Sequence, residues 1–176
     1  LMAIPLYIFA GEIMNRCGIT RRIFNFASEI VGFLPGGLAL VNVLASTLFA
    51  GISGSTSADV ASLGVMEIAG MTEAGYSRSY ATAITCASAT IGSIIPPSIL
   101  MVLYSSITGI SCGKLFVAGV IPGLMISLSQ MIFCYCKAKR DPERCDGNYR
   151  PTFSGKRLLD SAKDAVPALI MPGIII

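Results

Sequence analysis

The chain has 176 residues, of which 53% are hydrophobic and 13% charged, with 13 Lys and Arg against 10 Asp and Glu and neither His nor Trp. Soluble domains carry roughly 25% charged residues, so this composition, with a mean hydropathy of +0.72, excludes an ordinary soluble domain and predicts that most of the chain lies in a lipid bilayer. The six cysteines form no CxxC pair, so we interpret them as packing residues, and we expect no nucleic-acid partner.

The first predicted elements are the end of a transmembrane helix and a surface helix. Residues 1–14 are apolar apart from Glu12, which is typical of the last part of a transmembrane helix. Residues 21–37 place apolar side chains at helical spacing beside the charged Arg21, Arg22 and Glu29, and they end in a Pro-Gly-Gly linker. This pattern predicts an amphipathic helix lying at the membrane interface.

Residues 38–72 predict a re-entrant helical hairpin. The uncharged helix 38–50 would be about 20 Å long, which is too short for a hydrocarbon core of about 30 Å. Seven residues follow at 51–57, all of them small or hydroxyl-bearing apart from Ile52, and a second short helix occupies 58–71. Non-helical backbone at membrane depth survives only where protein or water covers it, so we expect the two half-helices to enter and leave on the same side.

Residues 79–113 predict a discontinuous transmembrane helix. This window holds 35 residues without a charge, about 52 Å as one helix, which is far more than a single span needs. Pro96 and Pro97 interrupt it, because proline lacks an amide donor and clashes with the preceding turn. We therefore expect the helix to be unwound over 88–98, near the middle of the bilayer.

The last predicted elements are a transmembrane helix at 115–136, a polar loop at 137–164 and the start of another helix at 165–176. The 22 residues from 115 to 136 carry no charge and would form about 33 Å of helix. If the hairpin opens to the cytoplasm, 12 of the 13 basic residues are cytoplasmic and only Lys114 is outside, as the positive-inside rule requires. Because Leu1 and Ile176 both lie in apolar stretches, we expect a piece of a longer multi-pass protein.

The two predicted breaks suggest an ion site. A broken helix presents free carbonyls at one end and free amides at the other, and secondary transporters use both at the bilayer midplane. Neutral oxygens in this number suit sodium. The candidate sodium ligands, through main-chain or hydroxyl oxygens, are Gly51, Ser53, Gly54, Ser55, Thr56, Ser88, Thr90 and Gly92.

A second group of residues either contacts substrate or shapes the breaks: Ser57, Asp59, Pro96, Pro97 and Ser98. For Asp59, a capping box formed with Thr56 and a role in the ion site are equally compatible with the sequence. Glu67 and Glu73 are expected near the cytoplasmic mouth without a special role. The alternative explanation for the Gly/Ser stretch is close helix packing of the small-xxx-small kind.

At these motifs the sequence resembles the DctM-like large permease subunit of tripartite ATP-independent periplasmic (TRAP) transporters. The matching residues are 4–15 (IPLYIFAGEIMN), 48–55 (LFAGISGS), Ala58, Asp59, Gly75, Tyr76, 88–92 (SATIG), 94–98 (IIPPS) and 113–116 (GKLF). Ser93 departs from the proline expected in many relatives, which affects how far the helix unwinds.

The resemblance implies an all-α polytopic membrane protein of the bacterial inner membrane, with this chain forming one half of an inverted-repeat, elevator-type transporter. It also implies sodium-coupled import of organic acids such as C4-dicarboxylates or sialic acids. The implied partners are a periplasmic substrate-binding protein and a small membrane subunit; no cofactor is expected, and sodium is the coupling ion.

Other functional classes fit less well. An intramembrane serine hydrolase needs a glycine where Ser55 stands and a histidine base, and the chain contains no histidine. Residues 109–115 have the wrong spacing for the phosphate loop of an ATP-driven pump. An ion-coupled anion transporter or exchanger of the same architecture that acts without a binding protein remains the main alternative, and an ion channel is a third.

Overall fold

The computed structural model describes residues 18–145 together with Phe9, Leu158, Ser161, Ala162 and Ala165. Every regular element in these ranges is helical, which confirms the all-α class. The predictions for residues 1–14, for most of the loop 137–164 and for most of 165–176 lie outside the described residues. The elements in chain order are α1 (Ile19–Val31), α2 (Gly37–Ser53), α3 (Thr56–Asp59), a π-helical turn (Val60–Gly64), α4 (Val65–Glu73), α5 (Arg78–Ala89), a 3-10 turn (Thr90–Ser93), α6 (Ile99–Thr108), α7 (Cys112–Arg140) and α8 (Pro142–Cys145).

Helix α1 is amphipathic. It buries Ile23, Ala27 and Val31, which lie one turn apart along a single face, and it exposes Arg21 and Arg22. The buried face packs against α2. The helix thus covers part of the core with one face, and its position at the membrane interface stays a prediction.

Helix α2 is the centre of the fold. Fourteen of its 17 residues are buried, and it packs against α1, α5 and α7. A helix that is apolar all round is stable only when its whole surface is covered, and here protein supplies much of that cover. At about 26 Å it is longer than the predicted 13-residue arm, because it continues through Gly51 to Ser53.

The chain reverses direction after α2. Gly54 ends the helix in the left-handed conformation, with φ +60°, which a residue with a side chain rarely adopts. The chain then returns through α3, the π turn and α4, which follow one another without a gap and are called here the returning arm. Asn42 Nδ2 lies 3.9 Å from Met71 Sδ, so the beginning of α2 lies beside the end of the returning arm. The two arms therefore form a helical hairpin.

Helices α5 and α6 are the two parts of an interrupted helix. Regular α-helix continues to Ala89, so Ser88, which was expected inside the break, lies in the last turn of α5. A 3-10 turn follows, and residues 94–98 are non-helical before α6 begins with Ser98 as its N-cap. The break starts later than predicted because the ring of Pro96 clashes only with the carbonyl one turn before it, at Gly92.

Helix α7 is the only helix among the described residues that is long and apolar enough to cross a membrane by length and composition. It spans 29 residues, about 44 Å, and only 22% of its most apolar window is buried inside the chain. It continues to Arg140, beyond the predicted end at residue 136. Lys137, Lys139 and Arg140 occupy its last turn, where positive charge is favoured by the helix dipole.

Candidate functional site

The hairpin tip and the interruption between α5 and α6 are in direct contact. The Gly54 carbonyl accepts a hydrogen bond of 3.2 Å from the Ile99 amide, the first residue of α6. A Cβ atom placed on Gly54 would collide with the Pro97 carbonyl oxygen. Gly54 and Ile99 are 45 residues apart in sequence, and their contact joins the two breaks into one site.

The 3-10 turn also lies against the tip. A Cβ atom on Gly92 would be 3.5 Å from the carbonyl oxygen of Ser55 and 3.6 Å from the amide nitrogen of Thr56, which is ordinary van der Waals contact. On the other side, Gly119 of α7 supports the break, since a Cβ there would lie 2.7 Å from the Ile94 carbonyl oxygen. Small residues at these positions bring unwound backbone close together from three directions.

Several main-chain carbonyls at the site have no hydrogen-bond donor among the described residues. Helix α2 ends at Gly54, whose amide bonds the Ala50 carbonyl, and no described group donates to the carbonyls of Gly51 or Ser53. The Gly92 carbonyl is also without a donor in this part of the chain, whereas the Thr90 carbonyl accepts from the Ser93 hydroxyl at 2.8 Å. The last carbonyls of a helix carry a partial negative charge, so the free carbonyls at this end of α2 are chemically able to coordinate a cation.

Hydroxyl groups surround the tip. Ser53 is buried, and its Oγ accepts a long hydrogen bond of 3.5 Å from the Ser55 amide. Ser55 Oγ caps α3 by accepting from the Ala58 amide at 3.4 Å and lies 3.0 Å from Ser57 Oγ. Ser55 is therefore the N-cap of α3, and the predicted capping box of Thr56 and Asp59 does not form.

The interrupted helix contributes fewer free hydroxyls than expected. Thr90 is exposed and donates to the Ala87 carbonyl at 2.7 Å, in the last turn of α5. Ser88 is fully buried away from the tip and donates to Asn42 Oδ1 at 2.7 Å. Ser98 holds the break in shape, because its Oγ donates to the Ser93 carbonyl at 2.7 Å and accepts from the Met101 amide at 3.4 Å.

An open pocket of about 640 Å³ lies at this junction. Two helices begin at its wall: the returning arm at Thr56 and α6 at Ile99. Unpaired amides and the positive end of the helix dipole make helix N-termini favourable for anions. The lining residues come from the tip, the 3-10 turn and the first turns of these helices: Gly54, Ser55, Thr56, Ser57, Val60, Ala61, Ser93, Ile99 and Leu100.

Comparison with known proteins identifies the family. The family model described as tripartite ATP-independent periplasmic transporter, DctM component, matches residues 1–176. The chain belongs to the DctM family. Over its full length it is 42% identical to the C4-dicarboxylate TRAP transporter large permease protein DctM of Pseudomonas aeruginosa and covers 40% of that protein. It is also 41% identical over its full length to the sialic acid TRAP transporter large permease protein SiaM of Vibrio cholerae, of which it covers 40%.

A third relative of this DctM chain is the sialic acid TRAP transporter permease protein SiaT of Haemophilus influenzae. The identity is 44% over the whole chain, which covers 28% of that protein. The chain thus spans about two fifths of the large permease proteins that it resembles. The pocket at the junction of the two breaks belongs to this part of the DctM fold.

The structure also reveals a buried polar cluster that sequence reasoning missed. Asn42 Nδ2 donates to Thr85 Oγ1 at 2.7 Å, and Ser46 Oγ donates to Ser88 Oγ at 3.2 Å, so α2 and α5 are joined by side-chain hydrogen bonds. Asn42 is the only polar residue in residues 38–45, and an isolated amide in an apolar helix is a signal that could have identified this contact. Glu67 was assigned no role, yet it is 1% exposed.

Proposed function

We propose that this chain is part of a sodium-coupled permease subunit that imports organic acids through the bacterial inner membrane. Its relatives are transporter permeases, and their names specify C4-dicarboxylate or sialic acid as the substrate. In this proposal a periplasmic binding protein delivers the acid and a small membrane subunit completes the complex. The hairpin is re-entrant, and the chain forms one half of an inverted-repeat, elevator-type transporter.

The observation that carries the sodium proposal is the contact between the tip and the break. The Ile99 amide bonds the Gly54 carbonyl, which fixes the end of α2 against the interrupted helix. The unpaired carbonyls of Gly51, Ser53 and Gly92 and the hydroxyl of Ser53 then provide hard, neutral oxygen ligands on both sides of the contact. Such oxygens suit an alkali cation better than they suit a transition metal.

The substrate proposal rests on the pocket beside this ligand set. The returning arm and α6 both begin at the wall of this pocket, where helix N-termini favour an anion, and a carboxylate is the anionic group that C4-dicarboxylates and sialic acids share. Ser55, Thr56 and Ser57 add hydroxyl donors on the same wall. Sodium at the carbonyl end of α2 would also attract the carboxylate, so binding of one ligand favours binding of the other.

The test is sodium-driven uptake by the full-length permease with its binding protein and small subunit, reconstituted in proteoliposomes. Replacing Ser53 or Ser55 with Ala removes one oxygen and leaves the main-chain carbonyls in place. We expect the free energy of sodium binding to weaken by about 1 to 2 kcal/mol, which corresponds to roughly a five- to thirtyfold increase in the sodium half-saturation concentration. Thr90→Ala should have a smaller effect, because the Thr90 hydroxyl already donates to the Ala87 carbonyl of α5.

Thr72→Ala is the matched control. Thr72 lies on the exposed side of the same hairpin and its hydroxyl donates to the Ile68 carbonyl at 2.7 Å, so its sodium dependence should equal that of the wild type. If the Ser53 and Ser55 variants also keep the wild-type sodium half-saturation at matched expression, these hydroxyls serve helix packing. Uptake without the binding protein at an undiminished rate would support the exchanger alternative.

A further inference from the structure

A groove separates helices α5 and α7. Both helices pack against α2, but they are not closely packed against each other. The gap between them is an open pocket of about 390 Å³. Each wall is formed by residues three and four positions apart, which share one face of a helix. The walls are Tyr80, Ala83 and Ala87 of α5 and Gln130, Phe133 and Lys137 of α7.

Gln130 and Lys137 mark the two ends of this groove. The side chain of Gln130 donates to the Ala87 carbonyl at 3.0 Å and so bridges the two helices at one end. Lys137 lies seven residues, about 10 Å, further along α7, and Tyr80 lies seven residues back along α5. Since Tyr80 and Lys137 line the same pocket, they lie together at the other end, and the two helices run antiparallel along the groove.

The position of Lys137 in α7 places one end of the groove at the membrane surface. Helix α7 is long and apolar enough to span a membrane, and Lys137 is the first charged side chain after the uncharged residues 115–136. Lys137 therefore lies where the hydrocarbon meets the lipid headgroups. The end at Gln130 lies about 10 Å deeper, which is within the depth of one leaflet.

The surface end of the groove is basic. Lys137 is half-buried, and Arg140 follows one turn later on the same side of α7, where it is exposed. No described residue forms an ion pair with either side chain, and the amide of Asp141 donates to the Lys137 carbonyl. Lys139 lies on another side of the helix, with its ammonium 4.9 Å from the centre of the Tyr135 ring. Lys137 and Arg140 are thus available to an anion at the mouth of the groove.

The walls below these two bases are apolar. Ala83, Ala87 and Phe133 are all exposed, and Phe133 leaves 57% of its surface uncovered by the chain. Lys and Arg form charge-assisted hydrogen bonds with phosphate, and basic pockets between transmembrane helices bind anionic headgroups. A soluble phosphate would satisfy Lys137 and Arg140 but would leave the apolar walls uncovered. A phospholipid satisfies both parts of the groove.

We propose that the groove between α5 and α7 binds one anionic phospholipid, whose phosphate contacts Lys137 and Arg140 and whose acyl chain lies along Ala83, Ala87 and Phe133. The lipid would link α5, which leads into the interrupted helix, to the membrane-spanning α7. In the orientation predicted from the sequence, this lipid belongs to the cytoplasmic leaflet, where anionic lipids create a negative surface potential.

The test is native mass spectrometry of the full-length permease in detergent, titrated with phosphatidylglycerol or with phosphatidylethanolamine of the same acyl chains. The wild type should bind phosphatidylglycerol roughly five- to thirtyfold more tightly, because the ethanolamine lipid carries no net charge. The double variant Lys137→Gln/Arg140→Gln should lose this preference. Lys139→Gln removes the same charge from another side of the same helix turn and should keep it.

A second pair of variants tests the apolar part of the groove. Ala83→Phe fills the groove without changing any charge, and since Ala83 is exposed the fold should tolerate it; binding of phosphatidylglycerol should fall to the level of the double variant. Thr82→Phe, at the exposed neighbouring position outside the groove, should bind as the wild type does.

Equal affinity of the wild type for the two lipids would overturn the proposal. So would an unchanged preference in either Lys137→Gln/Arg140→Gln or Ala83→Phe, because the lipid would then bind elsewhere. The titrations contain neither sodium nor an organic acid, so their outcome is independent of the site proposed at the hairpin tip.

Discussion

Replacing Gly54 with Ala tests whether the junction of the two breaks depends on a bare backbone at the hairpin tip. Gly54 has φ +60°, a conformation that costs an L-residue about 1 to 2 kcal/mol. The added methyl group would also collide with the Pro97 carbonyl oxygen. This neighbour is main chain and cannot rotate away, so overpacking adds about 1 to 3 kcal/mol. Together the backbone conformation and the overpacking should destabilise the folded protein by about 2 to 5 kcal/mol.

The expected result is a full-length permease whose free energy of unfolding in detergent falls by this amount, or whose tip moves away from Pro97 to avoid the collision. In the second case the Gly54 carbonyl loses its bond from the Ile99 amide, and the sodium half-saturation concentration rises strongly while stability changes less. Denaturant titration and initial uptake rate against sodium concentration distinguish these two outcomes.

Gly70→Ala is the control for this substitution. Gly70 lies in α4 of the same hairpin, and a Cβ atom there would meet nothing within 4 Å. Alanine at a helical position of this kind is neutral or stabilises by about 0.5 to 1 kcal/mol. The reasoning is refuted if Gly54→Ala leaves both the free energy of unfolding and the sodium dependence as they are in Gly70→Ala.

Two further substitutions address the break itself. Ile99→Pro deletes the amide that donates to the Gly54 carbonyl, and proline still fits the first position of α6. The loss of one hydrogen bond of about 0.5 to 1.5 kcal/mol should raise the sodium half-saturation concentration roughly two- to tenfold relative to Ile99→Ala. Equal values for the two variants would contradict this. Ser98→Ala removes the N-cap of α6 and the donor to the Ser93 carbonyl, so the free energy of unfolding should fall by about 1 to 3 kcal/mol. The control is Ser106→Ala at an exposed position of α6, which should cause no measurable change.

The interruptions could be predicted from the sequence because their causes are local. Pro96 and Pro97 cannot continue a helix, and Gly54 permits the left-handed turn that ends α2. The limits of each break depend on less local effects. Helix α2 continues to Ser53 because its small residues pack in a buried helix as well as in a loop, and nothing before Gly54 prevents this.

The partners of the polar residues could not be predicted in the same way. Ser88 was assigned to the ion site by its position beside a break, but its bond to Asn42 depends on how α5 packs against α2. Glu67 was expected near water because most acids are, and its burial follows from the π turn that rotates it toward the core. The residues next to Ser88 and Glu67 in sequence carry no signal of either effect, and the one available signal, the isolated Asn42 amide, lies on another helix.

The junction suggests how binding at one break would affect the other. The Gly54 carbonyl is bonded to the first amide of α6, so a change in the position of the tip changes the start of the helix that faces the pocket. Sodium held by the carbonyls at the end of α2 would stabilise the arrangement in which this bond exists. The same arrangement keeps the first turns of the returning arm and of α6 at the wall of the pocket, where the carboxylate is proposed to bind. Under the proposed function both ligands would stabilise one conformation of the tip, so the coupling would be reciprocal: the organic acid should raise the affinity for sodium by the same factor by which sodium raises the affinity for the acid.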